Sequence, residues 1–132
     1  MKYIEYNLID KEGKSNCVIR SLCKLYTKEY DEVLKGLCDI QKELNANSFN
    51  DIEVFETYMK RLNTNPINYG KDIKIEDLKL DNGSYIVFCW NKKDFYHMVP
   101  IIDNTLYDKT NQSLELYTIS LYKKLDSTDS SC

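Results

Sequence analysis

Apolar residues recur at helical spacing through the first half of this chain and gather into short apolar runs in the second. Helices followed by strands predict an α+β domain, with the helices packed on a small antiparallel sheet. A length of 132 residues suits a single core, and no repeat or low-complexity segment divides it. We read one domain over residues 1–125 and a polar, disordered tail over 126–132, which carries Cys132.

Residues 3–9 alternate weakly and predict an edge strand, and 11–14 a loop. A first helix is expected from about Asn16 to Tyr26, with Ser15 or Asn16 as cap and Val18, Ile19 and Leu22 as its apolar stripe. Cys23 lies one turn past Ile19, on the same buried side. Thr27 is expected to cap a second helix over roughly 28–44, whose stripe is Tyr30, Val33, Leu34, Leu37, Cys38 and Leu44. After a loop over 45–48, Ser48 or Asn50 caps a third helix facing inward through Ile52, Phe55, Met59 and Leu62.

Asn63-Thr64-Asn65-Pro66 ends that helix. Residues 73–80 fit a strand or a short helix equally. Asp81-Asn82-Gly83 is a turn, Ser84 to Trp90 the most apolar strand, and Leu114 to Leu125 the last strand.

Composition excludes several classes of function. The net charge of −3 offers no basic footprint for nucleic acid. No stretch approaches the ~20 apolar residues that span a bilayer, so no membrane partner is expected. The N-terminus has no apolar signal core and carries Glu5, which predicts a cytoplasmic protein. Five cysteines without a CxxC pair fit reduced thiols rather than a disulfide framework. The only histidine would have to recruit scattered cysteines to bind zinc, so no metal is expected. The eleven tyrosines read as amphipathic core and rim residues.

Two stretches carry chemistry. Cys17 opens the first helix, where the positive end of the helix dipole stabilises a thiolate and makes it a better nucleophile. The bland alternative is a small core residue. Eighty residues on, Phe95 to Asp108 reads as strand, tight turn, strand, and contains His97. Asp103-Asn104 or Asn104-Thr105 can form the two-residue loop, because Asn and Asp tolerate positive φ. In either register Asp108 falls on the face of His97, because side chains alternate along a strand and opposed residues point the same way. Cys17, His97 and Asp108 then make a nucleophile, a base and an orienting acid. Arg20, one turn after Cys17, is expected to pair with an acid across the helices.

In order and layout, residues 15–122 resemble a minimal papain-like cysteine peptidase. The matching segments are Asn16-Cys17-Val18-Ile19-Arg20, Tyr85-Ile86-Val87, His97-Met98-Val99 and Leu106-Tyr107-Asp108. The likeness is to short bacterial and phage-type members and, more distantly, to double-glycine leader peptidases. It implies a papain-like fold and a cysteine-dependent hydrolase that cleaves a peptide or isopeptide bond through a thioester. It implies a peptide or protein substrate and no cofactor. Papain-like enzymes place an oxyanion-binding glutamine shortly before the cysteine. No glutamine precedes Cys17, and Asn7 and Asn16 are the only upstream side-chain amides. They are therefore the candidate oxyanion donors beside the Cys17 N–H. The missing glutamine keeps a second function open: a catalytically silent scaffold acting as a binding protein or inhibitor in phage–host conflict. A third is acyl transfer, in which an amine intercepts the thioester.

Overall fold

A computed structural model describes residues 1–10 and 12–125; the expected tail and Cys132 lie outside them. The described residues are α+β, with three α-helices and a six-stranded, mostly antiparallel sheet.

Helix α1 spans Cys17–Tyr26. Asn16 caps it from an extended conformation, its Oδ1 accepting from the N–H groups of Val18 and Ile19 at 2.9 and 3.3 Å. Thr27 does not cap the next helix. It ends α1 in the left-handed region at φ 55°, its N–H bonded to the carbonyl of Cys23. Helix α2, Tyr30–Leu44, starts instead at Glu29, which makes no side-chain cap bond; Asp31 and Glu32 in its first turn complement the dipole. Helix α3, Ile52–Arg61, starts at Asp51 rather than Ser48 or Asn50. The Ser48 hydroxyl is taken by the N–H of Asn50 at 3.0 Å, inside the loop. Val33, Leu37, Phe55 and Met59 are buried as expected. Leu44 and Ile52, at the helix ends, are exposed, and Cys38 is only half-buried.

The strands are β1 (Lys2–Glu5), β2 (Thr64–Ile67), β3 (Ser84–Trp90), β4 (Tyr96–Ile102), β5 (Thr105–Asp108) and β6 (Tyr117–Lys124), arranged β1-β5-β4-β3-β6-β2. β1 is an edge strand, as expected, and runs parallel to β5. β2 was legible only as a helix breaker. It forms the other edge, where Pro66 is tolerated because only one side of the strand is paired. β6 begins after a 3-10 turn over Asn111–Glu115, later than expected. Residues 73–80 resolve as a 3-10 turn, Ile75–Asp77, that buries Ile75 and Leu78.

The strand β4 to β5 loop is Asp103-Asn104, both left-handed at φ 50° and 60°. This is the backbone of a primed two-residue turn, which matches the twist of the flanking strands.

Alternation along the central strands divides the interior into two cores. Ile86, Met98 and Tyr122 face the three helices. Tyr85, Val87, Cys89, Val99, Ile101, Leu106 and Leu121 face the opposite side, covered by Ile75 and Leu78. Helix α1 lies against β4, where the Ser21 hydroxyl donates to the Met98 carbonyl at 3.0 Å and Leu22 is fully buried. That contact fixes the helix one residue from His97. No helix among the described residues is long and apolar enough to cross a membrane.

Candidate functional site

Cys17 is the first residue of α1, half-buried, with its backbone N–H among the donors that a helix N-terminus leaves without an intrahelical partner. His97 is the second residue of β4 and Asp108 the last of β5. The observed turn sets Ile101 opposite Leu106 and Ile102 opposite Thr105, so Asp108 projects on the face of His97, Val99 and Ile101. His97 Nε2 donates to Asp108 Oδ2 at 2.7 Å. Cys17 lies against the ring, close enough for the imidazole to act on its thiol. Because Nε2 carries a proton for the carboxylate, Nδ1 is the nitrogen left for the thiol. The structure thus brings Cys17, His97 and Asp108 together at one place.

Asp108 is almost fully buried and receives four donors. Besides His97, these are Arg20 Nη2 on Oδ1 at 2.9 Å, the Lys109 backbone N–H on Oδ1 at 2.8 Å, and the Ser113 hydroxyl on Oδ2. Arg20 therefore does pair with an acid. The acid lies on β5 in the sheet, not across the helices, and both side chains are nearly solvent-free at 3% and 4% exposure. Arg20 Nη1 also donates to the Ser15 hydroxyl at 2.7 Å. One guanidinium thereby braces the residues before Cys17 against the carboxylate that orients His97. Ser113 was not singled out from the sequence. Its only sequence signal is Thr110, whose hydroxyl caps the 3-10 turn that carries it.

The charges reinforce one another. Burial pushes the Asp108 carboxyl up, but the His97 and Ser113 hydrogen bonds, the charge of His97 and the Lys109 N–H outweigh it and hold the group at about 2. Burial pushes the His97 imidazolium down, yet hydrogen bonds and charge from Asp108 and Cys17 raise it to about 9. Burial also pushes the Cys17 thiol up. The hydrogen bond and charge of His97, a backbone hydrogen bond from Met98 and the charge of Arg20 reverse this, leaving Cys17 below its ordinary value. Cys23 has no such neighbours, and burial drives it to about 11; burial raises Cys89 further still. Four thiols are free among the described residues, and of those with a clear shift Cys17 alone moves toward the thiolate.

Asn16 commits its carbonyl oxygen to the α1 cap, and Asn7 accepts from the Ser15 hydroxyl at 3.4 Å. Neither amide NH2 has a hydrogen-bond partner among the described residues. Phe95, half exposed, stacks on the His97 ring with centroids 5.5 Å apart. A pocket of about 410 Å³ opens beside His97 and Asp108, walled by Phe95, Ser113, Leu116 and Tyr117. Among the described residues no three His, Cys, Asp or Glu side chains gather as a metal site requires. No family model, curated protein or solved structure matches the chain.

Proposed function

We propose that this chain is a cysteine-dependent hydrolase of papain-like architecture, which cleaves a peptide or isopeptide bond of a peptide or protein substrate through a thioester on Cys17. The observation that carries the reading is the meeting of the helix-tip thiol, the only imidazole and a buried carboxylate, with His97 Nε2 bonded to Asp108 at 2.7 Å. A structural histidine needs one partner. Here His97 has both a thiol and an acid beside it, and the acid is itself held by Arg20, Ser113 and Lys109.

In this reading His97 holds the Cys17 proton, so the thiolate attacks the acyl carbon. The C–S bond forms, and the C–N bond breaks as His97 gives its proton to the departing amine. Water then attacks the thioester, returning a proton to His97 and freeing the thiolate. Asp108 keeps the imidazole in the tautomer that serves Cys17 and stabilises its charged form. No cofactor enters any step.

The first test is selective alkylation. At pH 7 iodoacetamide should label Cys17 at least about tenfold faster than Cys23, Cys38 or Cys89, as followed by peptide mass spectrometry. Equal rates for Cys17 and Cys23 in the folded protein would sink the hydrolase reading. The second test concerns the oxyanion. The Cys17 N–H is one donor, and Asn16 or Asn7 is proposed as the other. Asn16→Ser keeps a capping oxygen and removes the amide, so it separates the cap from the donor. If Asn16 is the donor, the variant keeps its unfolding midpoint but acylates about 10²-fold more slowly.

The unpartnered amides also favour a second reading, a silent scaffold acting by binding. In that case Cys17→Ala would retain the protein's whole cellular effect.

A further inference from the structure

We propose that the pocket beside His97 is the subsite for the leaving-group half of the substrate, and that it takes an uncharged segment with an apolar or aromatic side chain next to the scissile amide. This rests on the hydrolase reading above.

Position identifies the half of the substrate. Cys17 becomes bonded to the acyl half, and it does not line the pocket. His97 does line it, together with Asp108. The general acid must lie within hydrogen-bond reach of the amine that leaves. Whatever is attached to that amine is then carried past the imidazole, and the cavity that opens on the imidazole is where it fits. A volume of about 410 Å³ exceeds any single side chain and accommodates a side chain with its backbone.

The walls identify the chemistry. Leu116 and Tyr117, both half-buried, form one side, and the exposed ring of Phe95 another. Ser113 at the base is already spent on Asp108. The charged rim residues, Lys109 and Glu115, are exposed and of opposite sign, so neither an acidic nor a basic side chain gains a net counter-charge. Lys92 sits over the Tyr117 ring at 4.1 Å and is balanced by Asp72 at 3.0 Å. A mainly apolar recess whose lining charges are of both signs selects apolar and aromatic groups through buried area.

The test uses acyl transfer, because an amine that attacks the thioester occupies the site from which an amine leaves. Its nitrogen bonds to the acyl carbon, the C–S bond breaks to give the thiolate, and the amine proton passes to His97. p-Nitrophenyl acetate acetylates Cys17, and amino acid amides then compete with water for the acetyl group. Phenylalaninamide and leucinamide should intercept it about tenfold or more efficiently than glycinamide, aspartic acid amide or lysinamide, since an apolar side chain in a matching pocket is worth that much. Leu116→Glu should bring the phenylalaninamide-to-glycinamide ratio close to one. Gln112→Trp, at an exposed rim position, should lower the same ratio by filling the pocket, and serves if Leu116→Glu does not fold. Equal interception by all five amides, with acetyl-Cys17 plainly formed and turned over, overturns the subsite and leaves the hydrolase standing. Failure of any acetyl group to appear on Cys17 removes both.

Discussion

Arg20→Met is expected to destabilise the fold by roughly 3–5 kcal/mol at pH 10 and by clearly less at pH 7, as read by urea unfolding. Both side chains of the Arg20–Asp108 pair are almost entirely buried, so removing one partner strands a carboxylate out of water. Asp108 has a second cation, however. At pH 7 His97, raised to about 9, is protonated and still pairs with Asp108 in the variant. The folded value of His97 lies above its ordinary 6.5, so its contribution is fully present below 6.5 and is lost as pH rises through about 9. Past that point the variant leaves Asp108 with neutral donors alone, the His97 ring N–H, Ser113 and the Lys109 N–H, whereas the parent keeps the guanidinium. The gap between variant and parent must therefore widen with pH. At the acid end the sign reverses. Asp108 is depressed from 3.8 to about 2, so its contribution is present above 3.8 and disappears as pH falls toward 2, where the two proteins should converge. Adding Asp108→Asn to Arg20→Met should recover part of the loss, because the stranded charge is gone. Strictly additive effects would show that the two side chains do not act as a pair.

The Arg20 contact also marks where sequence reasoning ended. Asp108 was legible because parity decides its face: both two-residue loops over 103–105 give the same result, so an error of register did not matter. β3 was legible to the residue, since Ser84–Trp90 is a continuous apolar run bounded by Asn82-Gly83 and by Asn91. Arg20 was different. Its helix position is local information, but its partner lies 88 residues away, and nothing in the spacing distinguishes Asp108 from other acids. The Asn16 cap was legible, but the caps of α2 and α3 failed for a related reason. Thr27, Ser48 and Asn50 have the right side chains, yet the left-handed turn at Thr27 and the Ser48–Asn50 contact had already used those residues locally. β2 was missed because Asn65 and Pro66 oppose a strand by propensity, and only its edge pairing with β6 holds it.

His97→Ala is expected to slow alkylation of Cys17 at pH 7 by about 10²-fold or more and to change the shape of its pH dependence. Two opposing influences act on the thiol. Burial disfavours the thiolate, while the hydrogen bond and charge of His97 favour it, with smaller help from the Met98 backbone and Arg20. Taking away the imidazole removes the largest favourable influence and leaves burial in place. The nearest example in the same chain is Cys23, which burial raises to about 11 in the absence of a cationic partner. Native Cys17 should therefore become reactive at lower pH than the variant, whose reactivity should shift toward alkali. Cleavage of an amide substrate should follow a bell. Its acid limb is protonation of the thiolate–imidazolium pair, and its alkaline limb, near 9, is loss of the proton that His97 must give to the leaving amine. Alkylation has no leaving amine, so it should not fall on the alkaline side. A wild-type alkylation rate that climbs steadily through pH 9, and is the same in His97→Ala, would mean that the imidazole does not act on the thiol.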